Sequence, residues 1–585
     1  MGSHGWVSNE FYHPSPETVV QRETRDANVS SDDSSGHSVD DMALTRQRTV
    51  RLGLAVSLLY AAFVAYRIAI DSFVVGDIRY YNVLDDSLIS MRYGWNLAHG
   101  YGVVWNPGER IEGYSNPLLV LVGAALTVLA PKTTAVLLLQ LLGACWVLAA
   151  AWLAAAIAID LSRALPTMKD GGRLSAAVVL AATLAYYPLF ILSLQGMETG
   201  LLTMLILLAV RLSFQPHAST RTGGAAAVSG VLALAYLCRP DGALPALAIA
   251  ACLGLAAVRN PGNSRAQSLR VVAACTAPIA SVVGLHLLWR RSYYESWLPN
   301  TYALKIAGVP VRERIADGVA FVDVFLVETA LLIALGILGL VLGRTRKHAL
   351  LAVLFVVQLA YYVFAGGDFV PDLWRFIVPG MPMLFILAVD GALRGWGLLW
   401  SQRGPGALAW APILVVVVAL CMASQRYSGL WLEDSMKQMR QRRRDTAAAR
   451  VIEVITTGDA VVGVFAAGYI PYYSGRRGVD FLGKMDPTIA KGDPHRDVVP
   501  SMISQGARMW PGHAKYDLQY SVMKLKPDVV ERMKWFDEDL RGWGIRHYRQ
   551  LKVGPNSLYL RKESTSIHWD LMDCQASECR IKTPG

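Results

Sequence analysis

Asp85–Pro117 reads DDSLISMRYGWNLAHGYGVVWNPGERIEGYSNP, a polar island in an otherwise apolar region of the chain. It opens on two adjacent carboxylates, Asp85 and Asp86, soon after the apolar run at 52–70, and goes on to Arg92, Asn96, His99, Asn106, Glu109, Arg110, Glu112 and Asn116. Ionisable groups this close to hydrocarbon are costly unless they pair or line a wet cavity, so their default reading is functional. The plainer alternative is a solvated loop between helices.

Outward from this stretch the chain is a membrane protein. Its 585 residues are 53% hydrophobic and only 17% charged, too apolar for an ordinary soluble protein and long enough for two domains. Apolar runs at 52–70, 135–159, 174–194, 199–214, 223–238, 242–258, 271–289, 324–342, 349–366, 376–393 and 408–423 predict about eleven transmembrane helices. The run at 118–130 is short of the roughly 20 residues a crossing needs and suits an interfacial or re-entrant helix. With it left out, Arg173, Arg221, Arg265, Arg346 and Arg394 all fall in cytoplasmic connectors, as the positive-inside rule demands. The net charge of +11 is thereby assigned to the membrane, and nucleic acid is not an expected partner. The arginines before the first span hold the N-terminus inside, and Arg67 near its outer end can snorkel.

Three parts follow. Residues 1–50, rich in Ser and Asp, are expected to be a disordered cytoplasmic tail. Residues 51–424 form the membrane domain, with an outer loop at 71–134, and 425–585 an extracytoplasmic α/β domain. The basic stretch Lys437–Arg450 predicts a surface helix, and AVVGVFAAG, GVDFLG and SLYLRK predict strands. GYIPYYSGRRGVDFLGKMDP, Gly468–Pro487, is either a sugar-binding segment or a plain loop. Cys574 and Cys579 lie close together in a polar segment on the oxidising side and are expected to form a disulfide, the alternative being two free thiols near a loose end. The other five cysteines read as small core residues.

The remaining outer connectors carry GMET at Gly196–Thr199, RPDG at Arg239–Gly242, SWLPNTYALK at Ser296–Lys305 and GGDFVPDLWR at Gly366–Arg375. Singly, each has the residues of a turn. Together they gather charge at the membrane face that holds Asp85. A transporter would line a path through the bundle with such groups and show paired inverted halves, and a scaffold would leave the carboxylate pair unexplained.

An acidic pair past the first span, a long outer loop, many spans and an outward C-terminal part together resemble the C-class (GT-C) glycosyltransferases, which use polyprenyl-phosphate sugars. The DD, R, N-L, G-x-G, V-x-N-x-G-E-R-x-E pattern of Asp85–Glu112 is similar to that of the mycobacterial terminal arabinofuranosyltransferases, which use decaprenyl-phosphoryl arabinose. The resemblance implies a bacterial plasma-membrane enzyme that moves a sugar, with D-arabinofuranose favoured over mannose or another sugar, onto a cell-envelope glycan acceptor. It implies Asp85 as base, with Asp86 as support or alternative. The leaving phosphate calls for arginine or lysine, and Arg239, Lys305 and Arg375 are the candidates, each able instead to pair with Asp241, Asp368 or Asp372. Arg92, Asn106, Glu109, Arg110, Glu112, Glu198, Asn300, Tyr302 and Asp368 are the expected substrate-binding set. No cofactor is required, since arginine can neutralise a monophosphate, although Asp85, Asp86, Glu109 and Glu112 could hold a divalent cation. As an alternative to catalysis, Asp85 could simply cap the helix beginning near Asp86.

Overall fold

Within hydrocarbon every backbone N–H and C=O must be bonded inside its own segment, so long apolar runs become helices. A computed structural model describes residues 34–162, 171–368, 373–400, 411–424, 433–495, 512–533, 536–575 and 578–582. Six stretches are long and apolar enough to cross: Val50–Asp71, Lys132–Ser162, Pro240–Val258, Arg265–Tyr294, Arg346–Ala365 and Val378–Leu399. Two of the expected spans are instead bent pairs. The first is Gly172–Ala185 with Tyr187–Leu194, bent by 52°, and the second is Val311–Glu328 with Ala330–Gly343, bent by 79°. Three more, Thr199–Ser213, Thr222–Cys238 and Ala411–Ser424, are apolar but shorter. The eleven expected runs therefore all fall on helices. Arg67 does not snorkel but is buried against Asp71 one turn on, at 2.8 Å. Of the expected tail, residues 1–33 lie outside the described residues, and the first helix already begins at Ser34.

The outer loop is built in order. A hairpin of β1 (Phe73–Val75) and β2 (Ile78–Tyr80) turns at Gly76, whose φ of +61° a side chain would strain. Helix α1 (Asp85–Ala98) then starts at the carboxylate pair, and α2 (Pro117–Leu129) is the short apolar helix expected not to cross. Leu84 is the N-cap of α1 and no side chain caps it, so Asp85 is not the cap of its own helix.

The C-terminal part is α/β, as expected. Its seven-stranded sheet includes β3 (Val461–Val464), β4 (Arg477–Asp480), β5 (Val529–Val530), β6 (Tyr548–Val553), β7 (Asn556–Arg561), β8 (Met572–Gln575) and β9 (Glu578–Ile581), in the order β4-β3-β5-β7-β6-β9-β8. The predicted strands are β3, β4 and β7, and the basic stretch lies on the helix Glu433–Ile455. Cys574 and Cys579 face each other across β8 and β9 and are disulfide-bonded, as expected.

Leu52–Gly585 is one compact unit, and Met1–Arg51 is another. The reason is a shared core: Ile89, Tyr93, Trp105 and Tyr114 of the outer loop pack with Ala448, Ile452, Val462 and Val464 of the sheet domain. Hydrophobic residues of the loop are thus satisfied by the C-terminal part, not by lipid.

Helices α1 and α2 meet backbone to backbone at Gly94. A Cβ there would come within 2.6 Å of Ala124 N and 2.8 Å of Val120 O. Gly94→Ala is expected to cost about 1–3 kcal/mol by overpacking, read as a lower thermal midpoint of the purified protein. Gly284→Ala, where nothing lies within 4 Å, is the neutral control.

Candidate active site

Helix α1 sends its first two residues to different partners, because successive side chains are about 100° apart on a helix. Asp85 accepts two hydrogen bonds, Oδ2 from Gly468 N and Oδ1 from Tyr469 N, both 3.0 Å. It thus anchors the loop to the start of the short helix Tyr469–Ser474. Asp86 points into a cleft and is ion-paired through Oδ1 with Lys484, while Oδ2 lies 3.7 Å from Arg375 Nη1. Burial works to raise the pKa of Asp86, but Lys484 and Arg375 outweigh it and hold the carboxyl well below the usual carboxylate range.

The three cations expected for phosphate converge on one ring. Arg239, Lys305 and Arg375 lie 4.6, 5.6 and 5.1 Å from the centroid of Phe376. Their neighbours differ. Arg239 is held by Asp241 through bonds of 2.7 and 2.5 Å, with Glu198 at 3.7 Å. Its charge is therefore matched already. Arg375 bonds Asp368 at 3.1 Å and faces the cleft beside Asp86. Lys305 also lines the cleft, and among the described residues its ammonium has no hydrogen bond or ion pair. Burial, and then Arg375, push its pKa down to about 8, against the pull of Asp368 and Asp86. Asp372 lies outside the described residues.

Supporting contacts fix these groups. Ser90 Oγ donates to Asn116 Oδ1 at 2.9 Å, and Asn116 Nδ2 to Glu198 Oε2 at 3.0 Å. Asn300 Nδ2 donates to the carbonyls of Gly483 and Lys484, both at 2.9 Å, so it positions Lys484 and does not itself face the cleft. The helix Asn300–Ile306, which carries Lys305, is held by the buried Lys515. Its ammonium donates to the carbonyls of Ala303, Ala307 and Ala490 at 3.0, 2.7 and 2.7 Å.

The rest of the expected substrate-binding set has structural contacts. Arg92 donates to the carbonyls of Trp105 at 2.7 Å, Arg476 at 2.8 Å and Pro471, and burial pushes its pKa down to about 9. Asn106 pairs with both backbone groups of Gly478, each at 2.9 Å. Glu109 pairs with Arg477, Arg110 lies over Tyr293, and Glu112 is gripped by Arg290 at 2.6 and 3.1 Å. Tyr302 is exposed and outside the cleft lining. Asp85, Asp86, Glu109 and Glu112 do not converge, so they form no common cation site. Among the described residues no other group of three His, Cys, Asp or Glu does so either.

Lys484, Phe376, Asn116 and Lys515 were not on the expected list. Lys484 lies in Gly468–Pro487, the segment singled out for its aromatics and arginines. In the structure that segment clamps the 85–106 stretch, meeting Asp85, Arg92, Asn106 and Asp86 in turn.

A family model described as a domain of unknown function (DUF8728) matches residues 433–557. No curated protein matches the chain in sequence. Among solved structures, ArnT from Cupriavidus metallidurans bound to undecaprenyl phosphate is similar over 87% of this chain and 98% of its own, with 14% identity and a TM-score of 0.50. Its apo form aligns over 86% and 97%, at 14% identity and 0.49. The archaeal oligosaccharyltransferase AglB from Archaeoglobus fulgidus, in complex with an inhibitory peptide and a dolichol-phosphate, aligns over 87% and 74%, at 12% identity and 0.46. The chain has the GT-C fold: a polytopic α-helical membrane protein with a C-terminal sheet domain.

The charges around Lys305 make its titration a direct reading of the site. In ¹³C-methylated protein its resonance should titrate near pH 8. Asp86→Asn should lower that midpoint, because a stabilising carboxylate is gone, and Arg375→Gln should raise it. Titration near the ordinary lysine value of about 10.4 would contradict the geometry.

Proposed function

We propose that the chain is a membrane glycosyltransferase that moves a sugar from a polyprenyl-phosphate donor to a hydroxyl of a cell-envelope glycan, with Asp86 as base. The observation that carries the reading is Lys305: an ammonium that among the described residues has no ion pair, beside Arg375 and opposite a carboxylate, in one cleft. The fold shared with ArnT bound to undecaprenyl phosphate supports a lipid-phosphate donor. The Asp85–Glu112 pattern supports D-arabinofuranose as the sugar and decaprenyl phosphate as the carrier. Connector charges support an active site on the extracytoplasmic face of a bacterial plasma membrane.

The chemistry assigns each group one task. The donor phosphodiester lies on Lys305 and Arg375, with the anomeric carbon towards Asp86. An acceptor hydroxyl enters from the adjoining cleft walled by Leu84, Phe465 and Leu482, which Asp85, Asp86, Asp480 and Lys484 also line; Asp85 there is already engaged by two backbone N–H groups. Its proton passes to the Asp86 carboxylate as its oxygen forms the new glycosidic bond. The bond from the anomeric carbon to phosphate breaks, and polyprenyl phosphate leaves with the electron pair, stabilised by the two cations. Arg239 shapes the cation cluster without meeting the donor. Asp85 positions Asp86 by fixing the start of α1.

The test supplies radiolabelled polyprenyl-phosphate sugars and a glycan acceptor to the purified protein. Asp86→Asn should lower turnover by about 10²- to 10⁴-fold while donor still binds. Asp85→Asn should cost less turnover and more thermal stability. Near-normal turnover by Asp86→Asn removes the assignment. Lys305 is charged below about pH 8 and loses its proton above it, so donor KM should rise as pH passes through 8. Lys305→Arg, which stays charged, should flatten that rise.

A further inference from the structure

A second cleft lies on the other side of α1, away from Asp86. It is lined by Arg92, Trp95, Asn96, Tyr101, Lys132 and Tyr472, with Gly458 and Gly475 at its edge, and among the described residues no carboxylate lines it. Two cations face it, and Arg476, next in chain to Gly475, adds a third close by. Among the described residues all three donate only to neutral oxygens. Arg92, 5% exposed, is held by three carbonyls and Asn106. Lys132 Nζ donates to the Tyr472 carbonyl at 2.6 Å, which leaves two of its three protons unused, and lies over the rings of Trp95 and Tyr472 at 4.6 and 5.3 Å. Arg476 bonds Thr456 and the carbonyls of Glu453, Thr456 and Ser474. Two carboxylates act on these cations from outside the lining: Glu453, whose field reaches Lys132 and Arg476, is itself paired with Arg450, and Asp459, whose field reaches Arg476, accepts from Thr457.

Cations withdrawn from water without an anion are costly, and three around one cleft repel one another as well. An anion in the cleft removes both penalties. Its depth says which kind. Lys132 is the first residue of the span Lys132–Ser162, and Val128 and Leu129 just before it are exposed apolar side chains. The half-buried Trp95 and the exposed Tyr101 lie beside it, as aromatics do where hydrocarbon gives way to headgroups. The anion fixed at that level is phosphate.

We infer that the cleft of Arg92, Trp95 and Lys132 is a phosphate-binding site at the membrane boundary, separate from the cleft of Asp86, which takes the headgroup of an anionic phospholipid or a free phosphate. The site lies where α1, the start of a span and the helix Tyr469–Ser474 meet, so its occupant ties the outer loop to both.

The test uses the full chain in detergent micelles. Phosphatidylglycerol should raise the thermal midpoint with rising concentration, and diacylglycerol of the same acyl chains should not. Lys132→Gln should weaken that response about tenfold or more, the worth of one charge-assisted hydrogen bond, and Lys132→Arg should keep it. Inorganic phosphate alone, without added lipid, separates the two sources. A shift with it means that free phosphate suffices, and a shift with the lipid only means a headgroup site. Should Lys132→Gln not fold, wild-type protein decides: phosphatidylglycerol or phosphate should shield Lys132 from an amine-acylating reagent, read by peptide mass spectrometry. No shift in the wild type, a lipid response unchanged in Lys132→Gln, or no shielding of Lys132 overturns the inference.

Discussion

Two backbone N–H groups, those of Gly468 and Tyr469, point at one carboxylate, Asp85, and the arrangement of the charged clefts around it follows from that contact. Hydrogen bonds to an ionised acceptor are among the stronger ones a fold can make. This pair joins the first helix of the outer loop to a turn nearly four hundred residues later in the chain. Once Asp85 is fixed, helical geometry turns Asp86 away from the sheet domain's anchor and into the cleft. Arg92 and Asn106 repeat the fastening further along, against Pro471, Arg476 and Gly478. Gly468 tolerates no side chain here, since a Cβ would lie 2.2 Å from the Asp85 carbonyl.

The same closure gathers the charges. Lys484 comes from the sheet domain, Lys305 from a short helix between spans, and Arg375 from the approach to another span. None of these elements is near another in sequence. Each is held by its own contact: Asn300 binds carbonyls of the Lys484 loop, Lys515 binds carbonyls of the Lys305 helix, and Asp368 pairs with Arg375. Ion pairs buried in this way are weak evidence of stability but strong devices for placing a charge. Among the described residues Lys305 has no hydrogen bond or ion pair of its own, and burial and Arg375 disfavour its charge while Asp368 and Asp86 favour it.

Much of this could be read from residue order. Apolar runs marked the helices because membrane spans need only length and composition, and the thirteen-residue Pro117–Leu129 stayed short as its length required. Arg239, Lys305 and Arg375 were recognisable as a set because their connectors were expected on one side of the membrane, and the three do converge on Phe376. Partners were another matter. Asp85 and Asp86 look equivalent in sequence, and only the contacts made 383 and 398 residues away tell them apart. Glu112 and Arg110 look like site residues because they are charged and near Asp86, yet Arg290 and Tyr293, from the end of a span, take them up. Phe376 gave no signal at all, being one aromatic among many at the head of an apolar run. The bends at Tyr186 and Thr329 were likewise hidden, because hydropathy is blind to helix direction.

In the proposed reaction a lipid phosphate sits on Lys305 and Arg375 with the sugar turned to Asp86. A cryo-electron microscopy structure of the chain with a non-hydrolysable polyprenyl-phosphate sugar bound tests it most directly. Phosphate density within hydrogen-bonding distance of Lys305 and Arg375, with the anomeric carbon facing Asp86, is the expected result. Phosphate density elsewhere, or a sugar facing Asp85 with its two amide contacts broken, would contradict it.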